Sequence, residues 1–211
     1  MFVADHMTTS PITITKETPV LDALELMKKH RFRELPVVQG NRLVSLVTEK
    51  ELLAVSPSPA TTLSVYEIRG LMSKLMVSDV MIKNPITVDP YCTIEEAALI
   101  MREHKISCLL VEENEVLVGI ITQTDIFEAL IKILGLRKAG TRMVIESRDR
   151  VGLIAEITSI VRDCKVNVIG IAVLEKNRER VHVMLRLGTK DPGHLIKALE
   201  EAGFKIVKCS C

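Results

Sequence analysis

Two hydroxyl and carboxylate pairs at the same spacing carry most of the chemistry this chain could do: Thr48 precedes Glu51, and Thr122 precedes Asp125, each by three residues. A carboxylate presents two acceptor oxygens, enough for both hydroxyls of a vicinal diol, and a threonine hydroxyl can donate to a phosphate oxygen. The same residue types also cap helices, because Thr and Asp are ordinary N-cap residues. Both readings are open at this level. Catalysis would need a nucleophile with a base, a metal cage or a carboxylate pair of split pKa. The sequence has no Walker-type glycine loop, no G-x-S-x-G and no H-E-x-x-H, and its five histidines form no i, i+4 pair. Cys209-x-Cys211 supplies two thiols with no His or further Cys nearby in sequence, short of the four ligands of a closed metal site. The expectation is a protein that is not an enzyme, with no catalytic residues, no metal and no covalent cofactor.

The elements that must position these pairs occur twice. Residues 3 to 53 and 77 to 127 align without a gap at a constant offset of 74, so that Val3, Asp5, Met7, Pro11, Ala23, Met27, His30, Val37 and Thr48 recur as Val77, Asp79, Met81, Pro85, Ala97, Met101, His104, Val111 and Thr122. Two copies with so long a period argue for two small units closing on each other with approximate two-fold symmetry, not for a solenoid. In copy one, Pro11 to Thr15 is a short β-branched run. Thr18-Pro19 then starts an amphipathic helix, with Thr18 as cap and Pro19 at the first helical position, ending at the basic Lys28, Lys29 and His30. Leu35 to Val38 and Leu43 to Val47 are strands around the Gln39-Gly40-Asn41 turn. Copy two repeats the order, with Thr93 capping its helix. Between the copies, Ser56 to Pro59 breaks structure, and residues 62–76 carry helix-compatible apolar spacing.

From Gly140 the pattern becomes strand, helix, strand, strand, helix, strand. Val166 to Leu174 and Val181 to Leu187 are the paired middle strands, Asp191-Pro192 starts the second helix and Gly203 stops it. Composition restricts the partners. With 28 basic against 27 acidic residues there is no global charge to favour nucleic acid or a membrane surface, and 3% aromatics with no Trp argue against base-stacking platforms. Five unframed cysteines, no secretory signal and no apolar run of bilayer length give the expectation of a cytoplasmic protein with reduced thiols.

The residues of the two copies resemble the CBS family. Val77-x-Asp79-Val80-Met81, Pro85-Ile86-Thr87-Val88 and Gly119-Ile120-Ile121-Thr122-x-x-Asp125 carry the likeness in copy two, and Leu35-Pro36-Val37-Val38 carries it in copy one. The segment Leu63-Ser64-Val65-Tyr66-Glu67 resembles the linker of the acetoin-utilisation relatives. The last third, with Asp149-Arg150-x-Gly152-Leu153 before a helix and Asn167 opening a strand, resembles the ACT domain, although Val151 stands where that family commonly has Pro. The implied fold is α/β (α+β): a tandem CBS pair over 1–135 (copy one 3–54, linker helix 62–76, copy two 77–131) followed by a βαββαβ ferredoxin-like ACT domain over 140–211.

The resemblance also implies ligands. In CBS pairs the Thr contacts phosphate or ribose oxygens and the Asp accepts from both ribose hydroxyls, which in this chain are Thr122 and Asp125, with the backbone near Ile86 and Val88 framing an adenine. Arg33, just before the Leu35 strand, would reach the phosphate in the same cleft. The opposite cleft has Thr48 and Glu51, whose extra methylene displaces the carboxylate, and Ser107 in place of the arginine, so it would be the weaker site. Asp149, Gly152 and Asn167 would bind an amino acid in the ACT domain, where Gly152 and Asn167 could equally serve backbone geometry. The expected function is a stand-alone sensor of AMP, ATP or S-adenosylmethionine that acts in acetoin or acetyl-group metabolism. It would be a homodimer controlling a further protein, without nucleic acid or membrane partners. The competing reading is a dimeric interaction scaffold that binds no ligand, favoured by Glu51, Ser107 and Val151.

Overall fold

The structure is a computed structural model that describes residues 1–55, 64, 67, 70 and 72–210. The expected breaker at Ser56 to Pro59, most of the 62–76 helix and Cys211 lie outside the described residues. The chain divides into two compact units, Met1–Ile126 and Phe127–Cys211.

In the first unit, each copy supplies a helix and a hairpin at matching offsets. Copy one has β1 (Thr8–Thr9), α1 (Val20–His30), β2 (Glu34–Gln39), β3 (Arg42–Thr48) and α2 (Glu49–Ala54). Copy two has β4 (Thr87–Val88), α3 (Ile94–His104), β5 (Cys108–Glu113) and β6 (Val116–Thr122), which runs into α4 (Gln123–Ile133). The helices bury Val20, Ala23 and Met27 in α1 and Ile94, Ala97 and Met101 in α3, a single stripe at i, i+3 and i+7. A Val, Ile or Met side chain gains about 1.5–3 kcal/mol by full burial, which is what docks each helix. Thr93 caps α3 as expected, accepting from the Glu96 amide at 3.1 Å in a capping box. Copy one differs: α1 begins one residue later, after Pro19, and the Thr18 hydroxyl accepts from the Thr15 amide at 3.2 Å instead of capping. Pro11 to Thr15 also falls short of a strand, with only Ile14 bridging to Val37.

The strands form one sheet in the order β2-β3-β6-β5-β4, with β1 on β6. The two copies meet through Leu46, Cys108, Leu110 and Ile120. They also exchange their opening segments. Thr8 pairs with Ile120 while Ile82 bridges to Leu46, and the Val3 amide bonds the Cys92 carbonyl at 2.9 Å while the Val77 amide bonds that of Thr18 at 2.8 Å. Val77 accordingly packs in the core of copy one. The exchange is not identical in chemistry: the Ser45 hydroxyl donates to the Ile82 carbonyl, whereas its counterpart Gly119 leaves room for Met7, whose sulfur a Cβ would meet at 2.5 Å.

The second unit contains β7 (Thr141–Arg148), α5 (Leu153–Asp163), β8 (Val168–Glu175), β9 (Arg180–Leu187), α6 (Gly193–Glu201) and β10 (Lys205–Ser210). The sheet order β10-β7-β9-β8 is antiparallel throughout, the ferredoxin-like split β-α-β topology. Both helices cover one face, where Met143, Ile145, Ile157, Leu185 and Leu199 are buried. At α6 the expected cap shifts by one residue. Pro192 occupies the N-cap and Gly193 begins the helix, with Asp191 Oδ1 accepting from the Gly193 amide at 3.1 Å. Gly203 has a φ of 85°, the left-handed geometry that ends the helix where the sequence placed its stop.

Candidate functional site

The exchange of opening segments creates two hollows in the first unit, one against the end of each hairpin. The larger, of about 540 Å³, is lined by Ser10, Pro11 and Ile12, by Arg31 and Arg33 from the end of α1, and by Ile120, Thr122 and Thr124 from copy two. The smaller, of about 350 Å³, is lined by the residues 74 positions away, including Pro85, Ile86, Lys105, Leu46, Thr48 and Lys50. The structure therefore brings Arg33 and Thr122 together, as the sequence reading expected. It separates Ile86 from them. Because Thr8 lies on Ile120 and Ile82 on Leu46, the opening segment of each copy faces the other copy's threonine, so Ile12 accompanies Thr122 and Ile86 accompanies Thr48 and Glu51. Val88 lines neither hollow; it is buried and paired with Val111. Applying the offset together with the exchange would have found Ile12.

The helix-capping role of Thr122 and Asp125 is realised. Asp125 Oδ2 accepts from the Thr122 amide at 2.8 Å and from its hydroxyl at 2.7 Å, and the Asp125 amide returns a long 3.4 Å bond to the hydroxyl. Asp125 does not line the larger hollow, while Glu51, its counterpart, does line the smaller one and accepts from the Thr48 hydroxyl. Oδ1 of Asp125 has no hydrogen-bond partner among the described residues.

The cations follow a rule that sequence reasoning missed. Arg31 and Lys105 both follow the last residue of a helix in the left-handed conformation, with φ of 58° and 55°, and each lines its hollow. A non-glycine residue held there costs about 1–2 kcal/mol, and both copies keep a long basic side chain at that position. The guanidinium groups of Arg31 and Arg33 are exposed and have no ion pair among the described residues. The smaller hollow is not stripped of positive charge, contrary to the sequence reading, because Lys50 and Lys105 line it beside His104. Ser107 borders both hollows and donates to Glu34 Oε1 at 2.6 Å, tying the two copies together between them. Cys108, counterpart of Glu34, has its thiol pushed up to about 12, first by burial and then by the Glu34 charge, so it stays protonated and unreactive.

This architecture has known relatives. A family model for the CBS domain matches residues 3–58 and again 77–132, together more than half of the chain. The chain belongs to the CBS-domain family. An inosine-5'-monophosphate dehydrogenase of Korarchaeum cryptofilum is 37% identical over 117 residues, which are 55% of this chain and 21% of that protein, so the chain spans about a fifth of that relative's length. Among solved structures, a candidate acetoin utilization protein (AcuB) of Vibrio cholerae is 33% identical with a TM-score of 0.54, covering 65% of this chain and 95% of that one. CBSX2 of Arabidopsis thaliana, solved in complex with AMP, is 30% identical with a TM-score of 0.53, covering 63% of this chain and 97% of the other.

Outside the CBS copies, the structure places Asp149 and Gly152 in the turn between β7 and α5, and Asn167 just before β8. Gly152 has a φ of 87° with open space around a would-be Cβ, so backbone conformation by itself accounts for the glycine. The Asn167 carbonyl accepts from the Gly188 amide at 2.8 Å. Val151, in place of the expected proline, is fully exposed. Among the described residues no group of three or more His, Cys, Asp or Glu could hold a metal ion, and no helix is long and apolar enough to cross a membrane.

Proposed function

We propose that this protein is a non-enzymatic sensor that holds an adenine nucleotide, AMP in the first instance, in the larger hollow between the CBS copies. The observation that carries the reading is that Arg31 and Arg33, which have no ion pair among the described residues, line the same hollow of about 540 Å³ as Thr122. A phosphate would take its charge-assisted hydrogen bonds from the arginines and a further bond from Thr122, whereas Asp125, which caps α4 and does not line the hollow, would have to turn toward a ribose diol to accept from it. Ile12 and Pro11 supply apolar contact for a base. The AMP complex of CBSX2 supports the choice of ligand.

Thr48 and Glu51 form the second, weaker site for the same class of ligand, with lysines in place of arginines. ATP and S-adenosylmethionine are the other candidates for either hollow. We infer further that the C-terminal unit is an ACT domain with Asp149, Gly152 and Asn167 at an amino-acid site. The assembly would be a homodimer in the cytoplasm controlling a protein of acetoin or acetyl-group metabolism; the likeness to AcuB supports that pathway. Binding matters for regulation only if the effector prefers one of two arrangements of the copies.

The test is thermal unfolding with AMP, ATP, S-adenosylmethionine and guanosine monophosphate. At 100 times its dissociation constant a ligand adds about 2.7 kcal/mol. The reading expects AMP to stabilise the wild type and not an Arg31→Ala, Arg33→Ala variant. Indifference of the wild type to every adenine compound would leave the scaffold reading in its place.

A further inference from the structure

The two units carry opposite charge. Met1–Ile126 has 12 Lys and Arg against 17 Asp and Glu, and Phe127–Cys211 has 16 against 10, giving net charges of −5 and +6. Much of the positive excess gathers on one surface. Because Met143, Ile145, Val181, Val183 and Leu185 face the helices, strand alternation sends Arg148, Arg180, His182 and Glu146 to the opposite face, joined there by Lys205 and Lys208 of β10. Arg148 lies directly opposite Arg180, and Glu146 lies between His182 and Lys205.

Glu146 organises this end of the face. Its side chain is 4% exposed and is held by Lys176, by Arg180 at 2.7 Å, by His182 at 3.3 Å and by Lys205 at 3.7 Å. The cations themselves remain open to solvent, with exposures of 44% for Lys176, 48% for Arg180 and 71% for Lys205. One carboxylate thus fixes an array of cations that outnumber it. Like charges placed directly opposite, as in the Arg148 and Arg180 pair, disfavour the bare sheet and are relieved by an incoming anion.

We propose that this face docks an acidic polypeptide segment of a partner protein. Two copies of the same face would repel each other, which argues against its use for symmetric self-pairing. The face carries no Phe, Tyr or Trp on its four strands, so it lacks the stacking platform that single-stranded nucleic acid uses. Ala172, Leu174 and Met184 lie beside the cations by register and offer contact to apolar side chains of an acidic segment. The proposal stands apart from the nucleotide reading, because it uses none of the hollow residues.

Fluorescence anisotropy of the full chain with a short labelled peptide of Glu, Asp and Leu tests it. The peptide should bind, weaken as salt screens the charges, and lose about tenfold or more in affinity with Arg180→Glu, Lys205→Glu. The control Arg162→Glu, Lys165→Glu makes the same change in net charge away from this face and should leave affinity unchanged. Lys208→Glu, which touches no partner of Glu146, should weaken binding in the same direction and covers the case in which the double variant misfolds. Absence of peptide binding, equal loss in the control, tighter binding of oligothymidylate, or self-association that the double variant abolishes would each overturn the proposal.

Discussion

The hollow at Thr122 and the hollow at Thr48 are lined by residues related through the same 74-position offset, yet one holds Arg31 and Arg33 and the other Lys50 and Lys105. A guanidinium presents a planar fork to a phosphate, whereas an ammonium is a compact, strongly hydrated point charge. The carboxylates differ as well: Asp125 is turned back to cap α4, while Glu51 remains at the rim of its hollow. Duplication has kept the backbone that makes both cavities, including the left-handed residue at each helix end. Divergence at a few side chains has changed what each cavity can bind.

The severest way to break that comparison is to remove what the hollows share. Leu110→Ala at the buried junction of the copies should cost about 2–5 kcal/mol in urea unfolding and abolish AMP binding, because Leu110 packs with Leu46 and Ile120 beneath both cavities. A loss well under that range would mean that the copies do not depend on this junction.

Arg33→Ala should raise the AMP dissociation constant about tenfold or more, the worth of charged hydrogen bonds, while Lys105→Ala in the other hollow leaves the tighter binding event unchanged in calorimetry. Equal effects of the two substitutions would erase the proposed ranking. Thr122→Ala should cost about 1 kcal/mol through loss of the cap on α4, and Thr48→Ala less, because α2 has only six residues and Thr48 makes no side-chain bond to a helix amide.

The charges in the hollows can also be set against Glu146, whose partners are already in place. Hydrogen bonds from Lys176 and then His182, together with Arg180, hold its carboxyl down to about 2 from the usual 4.5. A depressed carboxylate contributes stability that is present above its unfolded pKa and is lost as pH falls through the folded one, so the contribution should fade between about pH 4.5 and pH 2. Glu146→Gln should flatten acid unfolding in that window and change little in AMP binding. A variant that still unfolds along the wild-type acid profile would remove Glu146 as the cause.

Much of the fold was readable before any coordinates. The amphipathic run that starts at Thr18-Pro19 and ends at Lys28, Lys29 and His30 gave α1, Gln39-Gly40-Asn41 gave the hairpin turn, and the runs Val166 to Leu174 and Val181 to Leu187 gave β8 and β9. The misses were local and physical. Thr18 yielded its cap position because Pro19 does not enter the helix and leaves the Thr18 hydroxyl closer to the Thr15 amide. Arg31 and Lys105 gave no warning, since a left-handed position is ordinarily marked by glycine or asparagine.

What the sequence determined by itself was the duplication, the element order and the residue types available at each offset, because these depend on spacing along the chain. Tertiary structure alone decided which of those residues meet. The exchange of opening segments put Ile12 beside Thr122 and Ile86 beside Thr48, and strand alternation gathered Arg148, Arg180 and Lys205 on one face around Glu146. Pairing register and cross-copy contacts join residues far apart in sequence, and local propensity carries no information about them.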